Sequence, residues 1–312
     1  MIGIVYSDKY LLHSPPFYHS ENPDRLNTII SSIKKSSTLK NKFQFLEPRI
    51  APEEEILLVH TKRHLDYVQD SIKSGKQILD SGDTYANEYS LETALLAAGG
   101  VLTAVDNVLS KKFSRVFCAI RPPGHHAESN RVMGFCLFNN IAIGAQYAIE
   151  KCNLYRIAII DWDVHHGNGT QEIFYESSKV LFISLHQFPF YPGTGAATEI
   201  GKGDGKGLTL NFPLPAGTER KMYLKIILDK IIPKLNEFNP QLMMISSGFD
   251  AHKNDPLASM NLLEDDYFLM TRLLNDFAGK TDIPIISVLE GGYNLTALGI
   301  SVCKHLEGFL NE

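Results

Sequence analysis

The chain has 312 residues, 44% of them hydrophobic, enough apolar material to bury a large core in one α/β unit. A net charge of −5 gives no general attraction to nucleic acid or to an anionic membrane surface. Four scattered cysteines without a C-x-x-C pair argue against a zinc ribbon or a disulfide framework; with no basic-then-apolar leader and no run of roughly 18 apolar residues, a soluble cytoplasmic protein is expected.

In chain order, short β-rich runs at 2–6, 115–120, 156–161, 180–185, 208–212, 242–246 and 284–289 predict strands. Several lack polar alternation, as expected of strands covered on both faces. Helical periodicity over 90–109, 138–151 and 219–238 falls between them. The pattern predicts a single α/β domain over residues 1–312, with a central, mostly parallel sheet flanked by helices.

The chemistry-bearing residues follow the same geography. His125 and His126, Asp161 to His165, Ser184 to His186, Asp250 and Tyr293 each lie a few positions beyond a predicted strand, where open parallel sheets form their ligand crevice. Five segments are therefore expected at one sheet edge. The glycine-rich run 201–207 lacks the Walker spacing and leads into a strand, so it reads as a surface loop.

In the run Asp161-Trp-Asp163-Val-His165-His166-Gly-Asn168, the residues Asp161, Asp163 and His165 alternate at period two and are expected to face one side of a strand end. A hydrolytic metal site needs three protein ligands and an open position, so Asp163 and His165 require a partner from another strand. Asp250 is the best candidate, because Gly248 lets the backbone turn sharply and carry the carboxylate inward; taken alone, such an Asp also suits a turn or a helix cap. His125 and His126, behind a stiff Pro-Pro-Gly, suit acid/base work beside a complete ligand set. Asp161 and Asn168 are available to orient them. A carboxylate raises an imidazole pKa far more than a neutral amide does, so the two histidines should differ in protonation. Tyr293, after two glycines, is placed to donate to a developing oxyanion, or else is a buried tyrosine with a satisfied hydroxyl.

Together with Asn22-Pro-Asp-Arg25, Gly134-Phe-Cys-Leu-Phe-Asn139, Tyr191-Pro-Gly-Thr-Gly195, Ser247-Gly-Phe-Asp250 and Leu289-Glu-Gly-Gly-Tyr293, these motifs resemble the zinc-dependent histone deacetylase family, in the class II-like branch that includes bacterial deacetylases and acetylpolyamine amidohydrolases. The resemblance covers nearly the whole chain and implies the arginase-deacetylase fold. It implies Asp163, His165 and Asp250 as zinc ligands, His126 as general base and then acid, His125 paired with Asp161 as electrostatic support, and Tyr293 as the group that polarises the amide carbonyl. Asn168 stands where class I members carry Asp, and it leaves His126 without a carboxylate partner. The resemblance also implies a tunnel flanked by Phe135, Tyr191 and Leu257, with Gly134 allowing close approach of the acyl chain and Gly291 beside the substrate. Arg25 resembles an internal arginine near the acetate exit, and Asp83 a rim acid that holds substrate amides. Potassium is implied at an inner site of Asp161, Asp163, His165, Ser184 and Leu185, and at an outer site of Phe174, Ser177 and Val180.

The implied reaction is removal of acetyl or other acyl groups from lysine side chains of proteins or peptides by zinc-bound water. Because no long insertion lies between Asp83 and Arg121, hydrolysis of small N-acetylated amines is the second reading. A binuclear manganese hydrolase of the arginase type would need another carboxylate shortly after His165, where His166, Gly167 and Asn168 stand. A noncatalytic acyl-lysine binder would have no use for both histidines and the tyrosine.

Overall fold

In the computed structural model, which describes residues 1–82 and 84–310, the centre is an eight-stranded sheet. Its strands are β1 (Ile2–Val5), β2 (Phe43–Leu46), β3 (Arg115–Cys118), β4 (Ile157–Asp161), β5 (Val180–Gln187), β6 (Thr209–Leu214), β7 (Leu242–Ser247) and β8 (Ile285–Leu289). The order is β2-β1-β3-β8-β7-β4-β5-β6, and every pair is parallel. The expectation of a mostly parallel sheet thus becomes an all-parallel one. Seven strands match the apolar runs. The eighth, β2, has only four residues, lies at the sheet edge and is half covered, so the apolar density that marks the others is missing there.

Burial explains the contrast. In β4 all five residues are buried, and each Ile withdrawn from water contributes about 1.5–3 kcal/mol, which is what makes an unbroken apolar run a central strand. Helices α1 (Asp24–Lys35), α2 (Glu53–Ile56), α3 (Lys62–Lys73), α4 (Ser90–Leu109), α5 (Asn140–Glu150) and α6 (Asn168–Phe174) fill the first part of the chain. The remainder carries α7 (Arg220–Ile226), α8 (Ile232–Phe238), α9 (Glu264–Thr281) and α10 (Leu295–Gly308). A π-helical turn, Ile227–Ile231, joins α7 to α8, so the predicted helix over 219–238 is one continuous body, closed by Asn239 at φ 51°. Among the described residues α4 is the one helix long and apolar enough to cross a membrane, yet it is mostly buried, packed on α5 and on β1, β3 and β8.

The topology matters for function because β3, β8, β7 and β4 are consecutive in the sheet. The loops that leave their C-terminal ends carry the histidine pair, the Glu-Gly-Gly-Tyr segment, Asp250 and the Asp-x-Asp-x-His run. Residues far apart in sequence therefore meet above four neighbouring strands. The Gly-rich run 201–207 is a mostly exposed loop with a short 3-10 turn, Gly203–Gly205, ahead of β6, as expected.

Candidate active site

Strand β4 stops at Asp161, the last residue in register with Ser184 of β5 and Ser246 of β7. Asp163 and His165 therefore lie beyond the strand, not on its alternating face. Side-chain acceptors take over where the ladder ends. Asp161 Oδ1 accepts from Asp163 N at 3.0 Å, Asp163 Oδ1 accepts from His165 N at 2.9 Å, and Asp250 Oδ1 accepts from Val164 N at 2.9 Å. The same carboxylates that bear the chemistry thus shape the loop that presents them.

The ligand atoms of Asp163, His165 and Asp250 lie within 4.8 Å of one another. His165 Nδ1 faces two carboxylate oxygens, Asp163 Oδ1 at 3.1 Å and Asp250 Oδ2 at 3.2 Å. Asp250 Oδ2 is buried and has no aligned donor. Burial, and then the charge of Asp163, push Asp250 up to about 7, while His125 and His165 outweigh burial at Asp163 and hold it low. With His125 3.0 Å from Asp161 and only 3.8 Å from Asp163, His165 is the one imidazole in contact with both Asp163 and Asp250 and cannot neutralise the two, and an orphaned buried oxygen is costly. Two carboxylates and one imidazole with an uncompensated acceptor fit a divalent cation. A Cβ on Gly291 would lie 2.1 Å from Asp250 Oδ2, and one on Gly248 2.2 Å from Asp163 Oδ2, so both glycines keep that space open. Gly248 is accordingly required for room, and not for the sharp turn expected from the sequence. Gly291 N also donates to Asp163 Oδ2 at 2.8 Å.

The two histidines differ as their partners predict. Burial opposes a charge on His125, but Asp161, with Oδ2 3.0 Å from Nδ1, and then Asp163 outweigh it and push His125 up to about 10. Burial raises Asp161 to about 6 against the pull of His125, so between these values the pair is ionised. His126 Nδ1 lies 2.8 Å from Asn168 Oδ1, a neutral partner. Burial, followed by repulsion from His125 and His165, holds His126 well below the usual imidazole value. A cationic and a neutral imidazole thus stand with ring centroids 4.0 Å apart.

A cavity of about 270 Å³ opens above this cluster, lined by His125, His126, His165, Gly291 and Tyr293 and walled by Pro123, Gly134, Phe135, Phe190, Tyr191 and Leu257. The Tyr191 ring meets His126 edge-on at 5.1 Å and stays 43% exposed, while Phe135 meets Tyr293 edge-on at 5.9 Å. Burial raises Tyr293 well above the ordinary phenol value, so its hydroxyl keeps its proton. Gly134 sits at φ +58°, and a Cβ there would lie 2.4 Å from the His126 ring. Its small size makes room for His126, a reason not legible from the sequence.

Several of the expected positions do not line the cavity. Arg25 is fully buried behind Tyr293, with its guanidinium 4.9 Å from the ring centroid, and is spent on Gly292 O, Glu290 O and Glu21. Ser184 and Leu185 lie within β5, where Ser184 Oγ is 2.9 Å from His186 Nδ1. Of the five predicted segments, those of His125 and His126, of His165 and of Tyr293 line the cavity, Asp250 lies beneath it in the triad and the end of β5 stands behind them. Phe174 ends α6, Ser177 N donates to Phe174 O at 3.0 Å, and Val180 begins β5. Asp83 lies outside the described residues.

Phe190 was not singled out from the sequence, and Pro123 and Glu290 only as members of motifs, without a place in the site. Phe190 stacks on His165 at 5.4 Å and 18°. Glu290 Oε2 accepts from Gly124 N at 2.7 Å and His125 N at 3.2 Å, fixing the histidine loop against β8. The adjacency of Phe190 to Tyr191 was the one available signal; nothing in the sequence pairs residue 290 with residue 125.

Similarity to known proteins agrees with this arrangement. A probable deacetylase of Archaeoglobus fulgidus is 42% identical over 94% of this chain and 81% of its own length. Histone deacetylase 15 of Arabidopsis thaliana is 38% identical over 99% of this chain, which spans 57% of that protein. The crystal structure of the HDA15 HD domain superposes with a TM-score of 0.94 at 37% identity, covering 99% of this chain and 91% of that one. With the histone deacetylase domain matched over residues 19–309, the chain belongs to the histone deacetylase family and has its arginase-deacetylase fold.

Proposed function

We propose that this deacetylase is a zinc-dependent hydrolase that removes acetyl or related acyl groups from lysine side chains of proteins or peptides. The observation that carries the reading is Asp250 Oδ2, a buried acceptor without a donor, set with Asp163 and His165 beneath a cavity that also holds a neutral histidine and a phenol. Asp163, His165 and Asp250 would hold the ion, and what zinc supplies in such a set is Lewis acidity towards water and a carbonyl oxygen. His126, kept neutral, takes a proton from the attacking water and returns it to the departing amine. The Tyr293 hydroxyl donates to the acyl oxygen as negative charge builds there. His125, kept cationic by Asp161 and with Nε2 3.8 Å from Asp163 Oδ1, balances the carboxylates. The products are acetate and a free amine.

The flanking Phe135 and Tyr191 suit an aliphatic stem, and the names of the relatives, deacetylase and histone deacetylase, support an acyl-lysine substrate. Potassium at the two positions implied by the resemblance belongs to the same proposal, supported by the register that sets Ser184 beside Asp161. The test is turnover by purified, metal-assayed protein of an acetyl-lysine peptide, a longer-chain acyl-lysine peptide and an N-acetylated diamine. Faster cleavage of the peptides is expected. Faster cleavage of the diamine would overturn the lysine reading, and full turnover after chelation would overturn the metal.

A further inference from the structure

Asn168 has two nearly isosteric ends, and the end that faces His126 decides where the imidazole carries its proton. Its oxygen accepts from Nδ1–H and leaves Nε2 with a free lone pair; its NH₂ in that place would force the proton onto Nε2. The amide is held by what lies on its far side. Asn168 Nδ2 is 2.8 Å from Glu128 Oε1 and 3.2 Å from Met133 Sδ. A carboxylate accepts and cannot donate, so a reversed amide would set two oxygens against each other. Glu128 is itself anchored, with Arg131 Nη2 donating to the same Oε1 at 2.7 Å.

We infer that Glu128 is a positioning residue for the base: acting through Asn168, it fixes His126 in the tautomer protonated at Nδ1, with Nε2 ready to take a proton. The inference rests on the reading of His126 as base. Family members with a carboxylate at position 168 would need no such device, since a carboxylate has no wrong way round; an asparagine does need one, and the chain Arg131–Glu128–Asn168–His126 provides it.

The test pairs Glu128→Ala and Glu128→Gln in the native and Asn168→Asp backgrounds, with ¹⁵N spectra of the His126 ring recorded alongside kcat and KM. In the native background Glu128→Ala should lower kcat by about 10–100-fold, the usual cost of losing an orienting partner, with little change in KM. Glu128→Gln keeps an acceptor for Asn168 Nδ2 but can also donate to a reversed amide, so it should recover only part of the loss. In the Asn168→Asp background Glu128→Ala should cost less than about twofold, a non-additivity that a purely structural residue would not produce. The ¹⁵N spectrum should move from the Nδ1–H form towards a mixture of tautomers in Glu128→Ala. Equal losses in both backgrounds, or an unchanged tautomer, would overturn the inference. A His126→Ala variant that retains turnover would instead overturn the base assignment, while the spectra would still decide the tautomer.

Discussion

Glu21, between Arg25 and Arg121, and Asp250, between Asp163 and His165, are both carboxylates at 0% exposure, and both lie close to Tyr293. Their surroundings are opposite in kind. Glu21 Oε2 accepts from Arg121 Nη2 at 2.6 Å and from the Tyr85 hydroxyl at 2.9 Å, while Oε1 accepts from Arg25 at 3.2 Å and from Arg121 Nε. The two arginines outweigh the cost of burial and hold Glu21 well below the usual carboxylate range. Asp250 has an oxygen without a donor and a like charge beside it. A buried carboxylate whose oxygens are both met by fixed donors is scaffolding; one left with a bare oxygen beside a like charge at the floor of a cavity suits a cation from outside.

The largest effect expected is on the open cluster. Asp250→Ala should reduce turnover of an acetyl-lysine peptide to background and abolish stoichiometric metal; a variant that keeps one ion per chain and its activity would break the comparison. The closed cluster should respond in stability instead. Glu21→Ala strands two buried arginines and should cost about 3–5 kcal/mol, read from the urea midpoint. If stability holds while metal content falls, the clusters are one unit and not two. Tyr293→Phe, at the boundary between them, should lower kcat by about 10²–10³ through loss of one oxyanion donor, with the urea midpoint nearly unchanged. Near-native turnover would exclude the phenol from the reaction.

The smallest effect concerns pH. Burial, and then the charge of Arg121, lower His13 at the edge of the closed cluster to about 3, although Glu21 pulls the other way. Its folded pKa lies below the unfolded value of about 6.5, so its contribution is complete above that value and is lost as pH falls through it, because the unfolded chain binds the proton first. The stability gap between the native protein and His13→Gln should narrow by about 1 kcal/mol between pH 6.5 and 5.5. A gap that widens would mean that His13 is protonated in the fold and helps to neutralise Glu21.

Much of this was legible in the sequence for identifiable reasons. Buried parallel strands leave unbroken apolar runs, and β2 escaped because an edge strand of four half-covered residues carries no such mark. The candidate metal triad, both histidines and Tyr293 were legible because each sits in a short motif after a strand. Contacts between distant segments left no trace: Glu290 with the amides of residues 124 and 125, or Arg25 with the carbonyls of residues 290 and 292. Steric reasons were equally hidden. Gly134 was expected to make room for the acyl chain and Gly248 to permit a sharp turn, whereas a Cβ at either would run into His126 or Asp163.

The strand order has a consequence for biosynthesis. Strands β3 and β4 are separated in the sheet by β8 and β7, the last two to leave the ribosome. Without them no strand of the β1 to β3 group pairs with a strand of the β4 to β6 group. The strands that close the gap also deliver Asp250 and Tyr293. A nascent chain holding every upstream motif still lacks Asp250 of the candidate metal triad and Tyr293, so the cluster at the cavity floor is completed only as the sheet is sealed.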